Sequence, residues 1–214
     1  MKKLLLIFLL CALILPAHAE TAPQLPAGYE PLMNMYLKGL AGEEEVLESD
    51  DFNISIYLCS RYAQADPFQG TGYTCMDVDR DGVPELIVGQ TEVLGEARFL
   101  YDIWTLQDGE PVLLAQGWER NALYLTLDGD QFGLYQAGSG GASLSIYQQS
   151  EFREGQAVLV NSLLFDMEAA HPWTLNENPI SEEEALQLIE QWERRVVFPA
   201  LNPFADYQAA KNRS

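Results

Sequence analysis

The sequence predicts a single α+β domain: an antiparallel meander of about six to eight strands, with helices before it and one helix after it. Three observations carry this. Apolar residues recur at helical spacing near both ends of the chain. The period changes to strand-like alternation between Tyr73 and Phe165. Glycine-containing turns separate the alternating segments at short intervals, as antiparallel neighbours require.

The first residues come before that domain. Lys2 and Lys3 precede an apolar run from Leu4 to Leu15, Pro16 breaks it, and Ala17-His18-Ala19 supplies a small-x-small pattern. This is the layout of a secretory signal, with cleavage expected after Ala19. The run is shorter than the roughly 20 apolar residues that span a bilayer. The chain is therefore expected to be exported, secreted or periplasmic, with no transmembrane segment after cleavage. Residues 20–28, polar and proline-containing, are expected to form a flexible leader.

Tyr29 to Leu40 places Leu32, Met33, Tyr36, Leu37 and Leu40 on one helical face, with Gly39 and Gly42 expected to stop it. Glu43 to Asp51 is an acidic solvated stretch. Ile54, Leu58, Tyr62 and Ala65 share a face of a second helix, which Asp66-Pro67 ends. Strands are expected at Tyr73 to Met76, Glu85 to Gly89, Phe99 to Leu106, Val112 to Gln116, Leu123 to Leu127, Phe132 to Gln136, Leu144 to Gln148 and Ala157 to Phe165. Ser181 with Glu184 forms a capping box ahead of Ala185, Leu188, Ile189 and Trp192. The domain is expected over 29–208, with a tail at 209–214.

Charge narrows the partners. The chain has 12 Lys plus Arg against 32 Asp plus Glu, a net charge of −20. That field repels nucleic acid and anionic membranes and suits cations. Cys59 and Cys75 are expected to pair as a disulfide in an oxidising compartment, the alternative being two buried thiols.

The strongest local signal is Asp77-Val78-Asp79-Arg80-Asp81-Gly82-Val83-Pro84-Glu85. Carboxylates at loop positions one, three, five and nine repel one another unless a cation lies among them. Ca²⁺ suits, since it takes six to eight oxygens at about 2.3–2.6 Å in flexible geometry. Asp77, Asp79, Asp81 and Glu85 are the expected side-chain ligands, with the Val83 carbonyl as a backbone ligand. Gly82 permits the sharp turn. Position twelve is Val88 rather than the bidentate Glu of an EF-hand, and Leu86-Ile87-Val88 is a strand pattern.

This loop followed by a strand resembles the calcium segments of FG-GAP and VCBS repeats. The longer run from Asp77 to Gly89 is similar to uncharacterised secreted proteins and lipoproteins of gut bacteria. In those, the sheet continues through segments such as Tyr101-Asp102-Ile103-Trp104 and Asp108-Gly109-Glu110-Pro111-Val112. That resemblance covers most of the chain and implies no activity.

Catalytic constellations fail. Ala137-Gly138-Ser139-Gly140-Gly141 lacks the acidic residue and the preceding histidine of a serine-protease nucleophile loop. His171, the one histidine after Ala19, cannot build a typical catalytic zinc site. The expectation is a non-catalytic calcium-stabilised domain that binds a protein or glycan. The alternative is an extracytoplasmic hydrolase using two spatially paired carboxylates, with Glu119, Asp128 and Asp130 among the strands. Tyr101, Trp104, Trp118, Tyr124, Tyr135 and Tyr147 supply either an aromatic binding face or core.

Overall fold

The computed structural model describes residues 25–94, 98–118, 120–153 and 155–213. The expected secretory signal and residues 20–24 lie outside them. In chain order the elements are α1 (Glu30–Ala41), α2 (Glu44–Leu47), α3 (Ser55–Tyr62) and α4 (Pro67–Gly70). The strands β1 (Thr71–Met76), β2 (Glu85–Gln90), β3 (Leu100–Gln107), β4 (Glu110–Gln116), β5 (Asn121–Asp128), β6 (Gln131–Ser139), β7 (Leu144–Arg153) and β8 (Gln156–Asp166) follow. The chain ends with β9 (Trp173–Leu175), β10 (Asn178–Pro179), α5 (Glu182–Glu193), β11 (Val196–Val197), β12 (Asn202–Pro203) and α6 (Phe204–Lys211).

All strands join one antiparallel sheet in the order β10-β9-β8-β7-β6-β5-β3-β2-β1-β12, with β4 on β3 and β11 on β5. The α+β arrangement matches expectation, but the described residues form 12 strands rather than six to eight. The additional strands are β9 to β12, each two or three residues long. A segment that short has no alternation to read, and it exists only because a neighbour's backbone receives it.

The sheet curls on itself. Ile87 and Ile103 of β2 and β3 pack with Leu134 and Phe152 of β6 and β7, which are not their neighbours in the ladder. β4 comes up against β8. The other face of β1–β3 is covered by α1, α3 and α6 through Met33, Tyr36, Ile56 and Phe204, which meet Tyr73, Leu86, Val88 and Tyr101. The helix α5 covers the outer face of β6–β9 with Ala185 and Trp192 against Tyr135 and Leu163. Its capping box forms as expected: Glu184 N–H donates to Ser181 Oγ at 3.2 Å and Ser181 N–H to Glu184 Oε2 at 3.0 Å.

Three sequence boundaries change. The leader is shorter than residues 20–28, because Leu25 packs against the helix-side core and residues 27–29 form a 3₁₀ turn. The helix α1 runs through Gly39, where the Phe52 ring occupies the space a side chain would fill, and ends only at Gly42. The domain continues past residue 208, since Pro203 precedes α6 and Phe204 is fully buried against Tyr36 and Tyr73. A proline after α5 thus stands at the N-cap of another helix, in extended backbone (φ −58°, ψ 142°).

The expected disulfide is not formed; Cys59 and Cys75 are separate thiols. Cys59 sits beside the Tyr101 hydroxyl, whereas Cys75 lies near Glu85 and Tyr29 at the other end of β1–β2. Burial, with Glu85 adding to it, pushes the Cys75 thiol up to about 11, which keeps it protonated and poorly nucleophilic at neutral pH.

Candidate metal centre

The loop joins two strands whose ends face each other: Met76 pairs with Glu85 in the β1–β2 ladder. Its backbone is fixed from below by Val78, which is 2% exposed and packs into the core between the two halves of the sheet. The reversal that follows uses left-handed backbone at Arg80 (φ 66°) and Gly82 (φ 89°). A β-carbon on Gly82 would meet no neighbour, so the glycine answers to the backbone angle rather than to space. Leu86, Ile87 and Val88 are fully buried in β2, so loop position twelve is a core residue, as its strand pattern indicated.

Oxygens of Asp77, Asp79 and Glu85 all lie within 4.8 Å of one another. Asp77 is exposed, Asp79 half-buried and Glu85 fully buried. Each carboxylate is oriented by hydrogen bonds. Gly82 N–H donates to Asp77 Oδ2 at 3.1 Å. Asp79 Oδ1 accepts from Asp81 N–H and its Oδ2 from Gly155 N–H, both at 3.1 Å. Glu85 Oε2 accepts from Val78 N–H at 2.8 Å, and Oε1 from the Thr105 hydroxyl at 3.1 Å.

Of the expected ligands, Asp81 stands apart from this group. Its Oδ1 accepts from Val83 N–H at 2.7 Å, the short-range bond an aspartate makes in a tight turn. Among the described residues, no lysine or arginine pairs with Asp77, Asp79 or Glu85. The nearby Arg80 reaches instead to Asp130 at 3.1 Å.

Electrostatics follow from that lack of cations. Burial first, and then the charges of Asp79 and Asp81, raise the Glu85 carboxyl to about 7 against the opposing bonds from Val78 and Thr105. Asp79 is raised too, first by burial and then by Asp81 and Asp77, against the backbone bonds from Asp81 and Gly155. Glu85 and Asp79 therefore bind protons more tightly than isolated carboxylates do, as groups short of positive charge do.

Sequence reading missed the supports around the loop. Thr105 lies 20 residues from Glu85, and Gly155 lies 76 residues from Asp79. The Tyr29 hydroxyl stands 2.9 Å from the Pro84 carbonyl and 3.0 Å from that of Trp104, fixing the loop exit to β3. None of these has a local spacing that would reveal it, because each is brought in by the ladder or by helix packing.

A second buried acid lies one strand away. Asp102 is 1% exposed on the helix side of β3. Its Oδ2 accepts from the Tyr36 hydroxyl at 2.6 Å, and its Oδ1 from Asn53 Nδ2 at 3.1 Å and Gln116 Nε2 at 3.2 Å. Trp104 Nε1 donates to the Tyr36 oxygen at 2.8 Å, and Asn53 Nδ2 also reaches the Gly117 carbonyl at 2.8 Å. A bulge places Tyr101 opposite the Val88–Gly89 step, which turns both Tyr101 and Asp102 toward the helices.

The expected aromatic face is mostly core. Tyr101 and Tyr135 are buried, and Trp104, Tyr124 and Tyr147 are half-buried in hydrophobic clusters. Trp118 alone of the six is exposed, at 43%. Ser139 donates to the Gly141 carbonyl at 2.7 Å within its own hairpin turn, and His171 is exposed in another loop. No protein family matches this chain, and neither a characterised protein nor a solved structure shows detectable similarity to it.

Proposed function

We propose that this chain is an exported, non-catalytic domain that binds a protein or glycan, and that its Asp77–Glu85 loop holds a calcium ion in a structural role. The observation that carries the calcium reading is the convergence of three carboxylates within 4.8 Å, one of them fully buried, with no basic side chain among them. Asp77, Asp79 and Glu85 are the side-chain ligands in this reading. Asp81 and the Val83 carbonyl join them if the ion draws Asp81 away from Val83 N–H.

The structural role follows from where the oxygens are anchored. Glu85 is tied to β3 through Thr105, and Asp79 to the β7–β8 turn through Gly155, so an ion here fastens three parts of the sheet together. Oxygen ligands from one local loop suit the modest affinity of extracellular modules, on the order of 10⁻⁴ to 10⁻³ M. The export reading rests on the sequence of residues 2–19. Among the described residues no helix is long and apolar enough to cross a membrane.

Thermal unfolding with and without calcium tests this reading. At 10 mM calcium the melting temperature is expected to rise by about 3–10 °C, from ligand linkage and the usual scaling for a domain of this size. Asp79→Ala is expected to abolish the rise. An unchanged melting temperature of the wild-type chain at that concentration would contradict the proposal.

A further inference from the structure

Trp118 stands between two clefts. One, of about 340 Å³, is lined by Trp118, Arg120, Asn121, Gly138, Ile146 and Gln148. The other, of about 410 Å³, is lined by Trp118 with Glu48, Asp50, Asn53, Ser55 and Gln116. Trp118 is the one exposed residue among the four tryptophans.

The first cleft has a rigid floor. Asn121, Gly138 and Ile146 are in register across β5, β6 and β7, and Gln136 pairs with Gln148 two residues along. Gln136 Nε2 donates to the Gln116 carbonyl at 3.1 Å, linking this floor to the strand that lines the second cleft. A β-carbon at Gly138 would fall 2.4 Å from Asn121 Oδ1, so the glycine keeps the Asn121 amide in place on the floor.

The chemistry of the lining is specific. The apolar side chains are the flat indole of Trp118, Ile146 on one side, and Leu47, Phe52 and Ile54 on the other. Around them stand planar amides, hydroxyls and a guanidinium, groups that both donate and accept or that offer forked donors. A lipid or an apolar helix needs a continuous apolar groove, and nucleic acid is repelled by the net charge of −20. A pyranose ring has what this lining complements: a flat C–H face for an aromatic ring and a rim of vicinal hydroxyls for amide and charged side chains.

We propose that the two clefts form one site for an oligosaccharide, with a sugar ring stacked on Trp118. Asn121, Gln148 and Arg120 take the hydroxyls of a neighbouring sugar on one side, and Glu48 and Asp50 on the other. This deepens the binding-domain reading and does not depend on calcium.

Tryptophan fluorescence and saturation-transfer NMR against tetrasaccharides of β-linked glucose, N-acetylglucosamine, mannose and galacturonic acid test it. At least one of the four is expected to bind the wild-type chain, equally with calcium and with EDTA. Trp118→Ala is expected to weaken binding about tenfold or more, as loss of a central aromatic contact does. Gln148→Ala is expected to weaken it less, with both variants melting as wild type does. Absence of binding by all four, or unchanged binding in Trp118→Ala, would overturn the proposal. Binding that EDTA removes would overturn this location and point to the acidic loop.

Discussion

Two carboxylate sites one strand apart show opposite solutions to burying an acid. Asp102 receives three side-chain donors, and Trp104 in turn donates to the Tyr36 oxygen. Burial still raises its pKa, but Tyr36, Asn53 and Gln116 each oppose that rise, and no other acid is among its causes. Glu85 is buried with two donors and with the charges of Asp79 and Asp81 beside it. The first site is complete with neutral partners. The second keeps mutual repulsion that no described residue relieves, and that is the property a divalent ion removes. Burial alone therefore does not set the two sites apart; uncompensated convergence of carboxylates does.

The contrast is broken most strongly at Asp102. Asp102→Ala leaves the Tyr36 hydroxyl and the Asn53 and Gln116 amides without their acceptor, beneath helices that this carboxylate fastens to the sheet. Chemical denaturation is expected to show a loss of about 3–5 kcal/mol, the same with or without calcium. A loss that calcium repaired would mean the two sites are coupled.

Glu85→Gln is expected to act the other way round. In the absence of calcium it removes a charge that its surroundings disfavour, so stability at pH 8 stays level or rises. With calcium the gain disappears, a difference of about 1–3 kcal/mol at 10 mM ion. Paired melts of wild type and variant, with calcium and with EDTA, measure both effects.

The pH dependence has a definite sign. The folded pKa of Glu85, about 7, lies above the ordinary glutamate value of 4.5. The folded state therefore holds the proton more tightly than the unfolded state. Its contribution to metal-free stability is greatest below the ordinary value and is lost as pH rises through that window toward 7. Calcium must displace that proton, so the calcium-dependent gain is expected to grow from pH 5 to pH 8. A gain independent of pH over that range would separate Glu85 from the ion.

The smallest effect is expected at the loop's outer edge. Arg80 and Asp130 are exposed, and such pairs contribute little. Arg80→Ala is expected to shift stability by no more than about 0.5 kcal/mol in either calcium condition.

How much of this was legible in the sequence divides along the same line. The acidic loop was legible because Asp77, Asp79, Gly82 and Glu85 lie within nine consecutive residues and their spacing is the signal. The eight long strands and α5 were legible because alternation and a capping box are local patterns. Asp102 was visible only as one letter in a strand segment, since its donors come from α1, the turn before α3, and β4. The strands β9 to β12 and the helix α6 were hidden for the same reason: long-range pairing and the burial of Phe204 create them. The disulfide expectation failed because two cysteines in one chain say nothing about distance, and the helix packing carries Cys59 toward Tyr101 rather than toward Cys75.

Isothermal titration of calcium into chelator-treated protein tests the central claim most directly. One ion per chain is expected to bind, with a Kd on the order of 10⁻⁴ to 10⁻³ M, and Asp79→Ala is expected to give no binding heat. A wild-type chain that takes up no calcium at 10 mM, or a variant that binds as wild type does, would contradict the account.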